Sequence, residues 1–168
     1  MKRYFCIFLS AIILFNITSC LDNTSESASV KPPYPTYTEK DGTVYICAFL
    51  REITEDSVTA DVAEYITPDN PERIEELQLT EDDMIGGYNI YNPDTETVVW
   101  KLDDQTVYHF VDWGHDFTGT ESVEEYTTKN VFEFIEYIGT YENSKPGMPF
   151  FFQGEDGVVK VILEKWIA

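Results

Sequence analysis

The sequence is poor in basic residues. It has 11 lysines and arginines against 31 aspartates and glutamates, and its formal net charge is −20 at pH 7. Proteins that bind nucleic acid need a basic surface to neutralise phosphates, so this class of partner is excluded. The charge also predicts repulsion from anionic lipid headgroups and anionic wall polymers. We interpret the excess of acid mainly as a source of solubility, with a cationic partner or divalent ions as the alternative.

The sequence also lacks the short motifs of common catalytic sites. It contains no G-x-S-x-G, no H-E-x-x-H and no glycine-rich phosphate loop. These patterns place a nucleophile, a zinc ion or a nucleotide phosphate. No pattern in the chain indicates a bound cofactor.

No hydrophobic run is long enough for a transmembrane helix. Residues 4–17 would rise only ~21 Å as a helix, whereas the hydrocarbon core of a bilayer is ~30 Å thick. This run follows Lys2 and Arg3 and leads into Ile17-Thr18-Ser19-Cys20, which is an apolar residue, two small residues and a cysteine. A short positive start, a short apolar run and small residues predict a secretory signal peptide over residues 1–19.

The four residues Ile17-Thr18-Ser19-Cys20 resemble the lipobox of bacterial lipoproteins. The resemblance implies cleavage before Cys20 and diacylation of its sulphur. The mature protein would then be anchored on the extracytoplasmic side of the cell membrane without spanning it. An ordinary signal peptide with an accidental cysteine is the alternative. Cys6 would leave with the signal, so Cys47 alone would remain free, and an internal disulfide is excluded.

Two regions are predicted after the signal peptide. Residues 20–40 are polar and then rich in proline, as in Lys31-Pro32-Pro33-Tyr34-Pro35. Such a composition cannot bury enough apolar surface to become ordered, and it predicts a flexible tether behind the lipidated cysteine. Residues 41–168 have the usual length of one domain with a single core.

The domain is predicted to be mainly β, with two short helices. Apolar or alternating runs predict strands at residues 43–53, 57–65, 88–91, 97–102, 106–113, 148–153 and 158–166. Helices are predicted at Asn70-Pro71 and after Thr128, the candidate cap of the second helix, where apolar residues recur at helical spacing. We expect a small, highly twisted antiparallel sheet or a partly open barrel of the OB or SH3 type. A flat α+β sheet with both helices on one face is the alternative.

Several segments resemble a group of uncharacterised exported bacterial proteins. They are Ala63-Glu64-Tyr65-Ile66-Thr67, Gly87-Tyr88-Asn89-Ile90-Tyr91-Asn92-Pro93, Val107-Tyr108-His109-Phe110-Val111-Asp112-Trp113 and the closing hairpin. The group carries similar E-W/Y-I-T, N-G-Y-Y-I-x-N-P and D-W-G segments in the same order, although Gly86-Gly87 stands here where N-G is expected. The resemblance covers most of residues 43–166. It implies one exported domain and no catalytic residue, since the group has no assigned reaction.

Two histidines supply a candidate metal site. His109, Asp112 and His115 carry the nitrogen and oxygen donors that transition metals prefer. If residues 106–113 form a strand, however, His109 and Asp112 point to opposite faces, because they are an odd number of residues apart. We therefore favour surface or hydrogen-bonding roles for both histidines.

Three other candidate sites, two for calcium and one for a nucleophile, are better explained by structural roles. The acidic segments Glu81-Asp82-Asp83 and Asp103-Asp104-Gln105 lack the spacing and glycine of an EF-hand calcium loop, so we expect solvated turns. Cys47 lies in an apolar strand with no neighbouring cation in the sequence, which predicts a buried, unreactive thiol.

The aromatic residues carry the functional prediction. They make up 15% of the chain, and most of them must pack in the core of so small a domain. A few exposed ones beside acids would form a patch for a protein, a peptide, a sugar or a cationic ligand. The sequence therefore favours a non-enzymatic binding module displayed outside the membrane, with Tyr88, Trp113 and His115 as the candidate site. The alternative is a metal-dependent or hydrolytic envelope enzyme that uses His109, Asp112 and His115.

Overall fold

The computed structural model describes residues 34–113, 117–119 and 122–165. The predicted signal peptide, Cys20 and His115 lie outside these ranges. The strands within them are β1 (Tyr37–Thr38), β2 (Val44–Ile53), β3 (Ser57–Ile66), β4 (Asn89–Tyr91), β5 (Thr97–Lys101), β6 (Val107–Asp112), β7 (Glu124–Thr128), β8 (Phe150–Glu155) and β9 (Val158–Leu163). The helices are α1 (Pro71–Glu76) and α2 (Val131–Gly139), with 3₁₀ turns at Glu81–Met84 and Glu142–Ser144.

Two antiparallel hairpins form the framework of the sheet. β2 pairs with β3 from Cys47 opposite Ala63 to Ile53 opposite Val58. β8 pairs with β9 around the turn at Asp156 and Gly157, whose φ angles are 51° and 80°. Two consecutive positive φ angles define the turn that best matches the twist of a hairpin, and Asp-Gly is a favoured sequence for it.

Five of the strands form a ring. β2 pairs with β3 on one edge and with β8 on the other, β3 pairs with β5, and β8 pairs with β9. The ring closes only where β5 meets β9, through the single pair Lys101 and Val158. β6 and then β7 extend the sheet beyond β9. The result is a partly open barrel with uneven closure.

The main core lies inside the ring and under α2. It contains buried residues from β2, β3, β5, β6, β8, β9 and the helix, among them Trp100, Phe110, Phe134, Tyr137, Phe150 and Phe152. The rings of Phe110 and Tyr137 stack with a centroid distance of 4.0 Å. Strand side chains alternate between the two faces of a sheet. Cys47 on β2 and Phe151 on β8 are paired with each other, and their side chains lie on the opposite face from the main core, where they belong to a second, smaller cluster.

The first described residues pack against the domain. β1 pairs with β2, and the ring of Tyr34 meets the buried ring of Trp100 edge-on at 5.8 Å. The tether was expected to run to residue 40; within that range the structure shows Tyr34 and the strand β1 in contact with the domain. In the described part of the chain no helix is both long and apolar enough to cross a bilayer.

The prediction of a mainly β fold with two short helices is confirmed, with three differences. The sheet is mixed, because β9 runs parallel to β5 and to β6. β1 and β7 were not predicted. The cap of α2 is Asn130, whose side chain accepts a hydrogen bond from the N–H of Phe132 at 3.1 Å, while Thr128 accepts one from the N–H of Asn130.

Candidate functional site

A cavity of about 340 Å³ opens where the ends of several elements meet. We call it the aromatic pocket; its lining residues are Tyr88, Trp113, Tyr141, Pro146, Gly147, Met148, Glu164 and Lys165. Trp113 is 39% exposed and Met148 is 41% exposed, so both present apolar surface to solvent. Three aromatic rings, one thioether and one carboxylate therefore share a single concave surface, which is the usual composition of a small ligand site.

Glu164 holds one wall of the aromatic pocket together. Its Oε1 accepts a hydrogen bond from the indole Nε1–H of Trp113 at 3.0 Å and from the Tyr141 hydroxyl at 2.8 Å. Its Oε2 accepts from the backbone N–H of Val111 at 2.9 Å and from the Tyr137 hydroxyl at 2.6 Å. Although Glu164 is only 8% exposed, each of its oxygens lies within hydrogen-bond distance of two donor groups, as a buried carboxylate requires. The Tyr137 hydroxyl has one proton to donate, and it lies equally close to the backbone carbonyl of Val111, at 2.6 Å.

The position of Glu164 follows from the strands around it. Glu164 comes directly after β9 and donates its backbone N–H to the carbonyl of His109 at 2.8 Å, which continues the parallel pairing of β9 with β6. Its side chain lies two residues after the buried Ile162 and so points to the same side of the sheet. Glu164 therefore lies on the buried side of the sheet, beneath the C-terminal part of α2.

The hydroxyls of Tyr137 and Tyr141 complete the network around the carboxylate. The two residues are one helical turn apart, and their oxygens lie 2.6 Å from each other. Burial raises the pKa of both phenols, and the nearby negative charge of Glu164 adds to the effect. Both phenols therefore keep their protons at neutral pH and remain available as donors.

Lys165 is part of the pocket lining, and its ammonium group is surrounded by three aromatic rings. Its Nζ is 4.2 Å from the ring centroid of Tyr37, 4.9 Å from that of Phe151 and 5.4 Å from that of Tyr65. We call these three rings the lysine box. The same ammonium group forms an ion pair with Glu39. The ring of Tyr65 stacks on Tyr88 with centroids 5.3 Å apart, so the lysine box and the aromatic pocket share a wall.

The structure brings together two of the three predicted site residues. Tyr88 and Trp113 both line the aromatic pocket, while His115 lies outside the described residues. Tyr141, Met148, Glu164 and Lys165 were not predicted as site residues. The signal that could have identified Glu164 is its position in the sequence, where an acid continues the buried register of a predicted strand and must therefore have partners.

The residues of the alternative metal site are separated where the structure describes them. The ring Nδ1 of His109 forms a hydrogen bond with the Thr127 hydroxyl at 2.7 Å. Asp112 is fully buried and accepts hydrogen bonds from the N–H and the hydroxyl of Thr118. The two side chains occupy alternate faces of β6. Among the described residues no group of three or more His, Cys, Asp or Glu side chains could hold a metal ion.

The other candidates have structural partners. Asp83 accepts hydrogen bonds from the N–H and the hydroxyl of Thr80, and Asp103 pairs with Lys160 at 2.7 Å. Cys47 is buried, and burial raises the pKa of its thiol to about 12. A second cavity of about 310 Å³ contains Arg73, whose guanidinium is already paired with Glu64 and Glu76.

Comparisons of the chain with protein-family models, with curated proteins and with solved structures found no match. The resemblance to exported bacterial proteins therefore rests on its short motifs and stays a prediction.

Proposed function

We propose that this chain is a non-enzymatic binding module, anchored by a lipid on Cys20 to the outer side of the cell membrane, that captures its ligand in the aromatic pocket. The observation that supports this proposal best is the buried carboxylate of Glu164. It fixes the orientation of Trp113 and Tyr141, so the walls of the pocket are preformed. A preformed site binds more tightly because less freedom is lost when the ligand arrives.

The same hydrogen bonds favour binding over catalysis. A general base or a nucleophile needs a lone pair that can reach the substrate. Both oxygens of Glu164 are surrounded by neighbouring donor groups, namely the Val111 amide, the Trp113 indole and the hydroxyls of Tyr137 and Tyr141. Glu164 therefore acts as a positioning residue that organises the rings of the pocket. No observation among the described residues favours the hydrolytic or metal-dependent alternative.

The proposal is tested by nuclear magnetic resonance on the ¹⁵N-labelled full chain in dodecyl maltoside micelles. The panel of probes is choline, N-acetylglucosamine, a proline-rich peptide, calcium and zinc. We expect at least one of the three organic probes to shift the indole N–H signal of Trp113 and the backbone amide signals of Gly147 and Met148 in a saturable way. The shifts report on the pocket because all three residues line it.

Two variants make this test specific. Trp113→Ala should abolish the saturable shifts of the amide signals, because it removes one wall of the pocket. Phe132→Ala should leave them unchanged; Phe132 is 57% exposed on α2 and is not part of the pocket lining. If no organic probe shifts these signals, or if only zinc does so in a chelator-reversible way, the binding-module proposal is wrong.

A further inference from the structure

We propose that the aromatic pocket binds an organic ammonium group, such as a methylated or primary amine. This inference rests on the proposed binding function and names the chemical class of its ligand. Four features of the described residues support it: an uncompensated carboxylate, the aromatic walls, the resident ammonium of Lys165 and the charge around the site.

The carboxylate of Glu164 has hydrogen bonds but no counter-ion in the described part of the chain. Its four donors are a backbone amide, an indole and two phenols, all of which are neutral. The salt bridges between described residues do not include Glu164. A negative charge with little exposure to water attracts a cation strongly, because the local dielectric constant is low.

The walls of the pocket suit a cation that is organic. The rings of Trp, Tyr and Phe attract a cation over their faces, and Trp attracts it best. Tyr88, Trp113 and Tyr141 supply such rings in one cavity. A metal ion is a poor fit, because it needs free oxygen ligands and the two oxygens of Glu164 are occupied. An alkylammonium group needs no such ligand and gains from contact with Met148 and the rings.

Lys165 shows that the adjoining rings already accept an ammonium group. Its Nζ lies 4.2 Å from the ring centroid of Tyr37 and 4.9 Å from that of Phe151. The shared wall of Tyr65 and Tyr88 continues this surface into the pocket. Because Glu39 pairs with Lys165, the repulsion that Lys165 exerts on an incoming cation is partly cancelled.

The charge of the whole chain acts in the same direction. A net charge of −20 repels anions and raises the local concentration of cations near the surface. This attraction is weakened by salt, because the Debye length falls from about 10 Å at 0.1 M to about 3 Å at 1 M. The affinity for an ammonium ligand should therefore decrease when sodium chloride is added.

The decisive comparison uses two probes of nearly the same shape, choline and its neutral isostere 3,3-dimethylbutan-1-ol. Each is titrated into the ¹⁵N-labelled full chain in dodecyl maltoside, and the amide signals of Gly147 and Met148 are followed. We expect choline to bind at least tenfold more tightly than the neutral alcohol, and we expect this preference to shrink at 1 M sodium chloride.

Three variants are expected to change the affinity for choline in different directions, which a folding defect could not produce. Trp113→Ala should weaken choline at least tenfold. Lys165→Met should increase the affinity for choline severalfold, because Lys165 is the only cation among the described lining residues and its loss leaves Glu39 and the lysine box free for the ligand. Phe132→Ala should leave the affinities for choline and for the neutral alcohol unchanged.

Equal binding of the two probes, or weaker choline binding by Lys165→Met, would overturn the ammonium inference and leave the binding function intact. Absence of binding by choline, together with saturable shifts by the sugar or the peptide, would do the same. If none of the organic probes shifts the pocket signals, the inference and the proposed function are both wrong.

Discussion

Individual residues in this protein are constrained most where polar groups are buried. Asp61 alternates with apolar residues in β3, a pattern typical of a strand with one face in water. In the structure it is 1% exposed and is paired with Arg51 and with the amide of Asn92 at 3.0 Å. Local alternation gave the correct strand, but it could not reveal partners 10 and 31 residues away. The partners of Glu164 were missed for the same reason.

The tyrosines around Glu164 predict a loss of stability at alkaline pH. Burial raises the pKa of Tyr137 and Tyr141, and it raises the pKa of Tyr65 and Tyr108 to about 12. An unfolded chain releases phenolic protons near pH 10, whereas the folded chain retains them. The contribution of these tyrosines to the free energy of unfolding should therefore be constant below about pH 9 and fall above pH 10, by ~1.4 kcal/mol per pH unit for each such tyrosine.

Urea unfolding at a series of pH values measures this slope. Tyr137→Phe should reduce the slope above pH 10 by the share of one tyrosine, about 1.4 kcal/mol per pH unit. Phe132→Ala should leave the slope unchanged, because it removes no titratable group. A slope that is the same in Tyr137→Phe and in the unaltered chain would show that Tyr137 ionises normally in the fold.

The strands and helices were predictable where their own sequences carry the pattern. β2, β3, β8 and β9 have long apolar or alternating runs, and they were predicted to within a few residues. β7 was missed because Glu124-Glu125-Tyr126-Thr127-Thr128 has no apolar alternation; it forms only by pairing with β6. The parallel pairing of β9 with β6 was also out of reach, since it depends on how distant segments pack.

The turn between β8 and β9 gives a prediction about one element. Gly157 has a φ of 80°, a conformation that costs an L-residue about 1–2 kcal/mol. Gly157→Ala should therefore lower the free energy of unfolding by about 1 kcal/mol in a urea titration. Gly139→Ala is the matched control, because an added Cβ meets nothing within 4 Å and the φ is not positive. It should be neutral or stabilising; equal losses in both variants would contradict the assigned turn.

At the scale of the whole molecule, the sequence predicts an acidic domain tied to a membrane that repels it. A lipid anchor on Cys20 would act against a net charge of −20, so the domain should stand away from the lipid headgroups. Such an arrangement would leave the pocket accessible to ligands outside the cell. No match to a known protein supports or contradicts it, and it stays a prediction from the lipobox.

Anchoring is tested by expressing the full chain in a bacterial host that is fed a labelled fatty acid. We expect label in the protein and its recovery in the membrane fraction. Cys20→Ser should lose both, because the acyl chains have no sulphur to join. Cys6→Ser is the control and should keep both. Label that persists in Cys20→Ser would place the modification elsewhere.

The contact between Lys165 and Glu39 has a mechanical consequence. The predicted anchor lies on the N-terminal side of β1, so tension from it would enter the domain through Tyr34 and that two-residue strand. Glu39 follows β1 directly, and Lys165 fastens it to the wall of the aromatic pocket. A pull strong enough to peel β1 away would therefore loosen this wall before it reached the central strands. Tension on the tether would therefore first lower the affinity of the aromatic pocket for its proposed ligand.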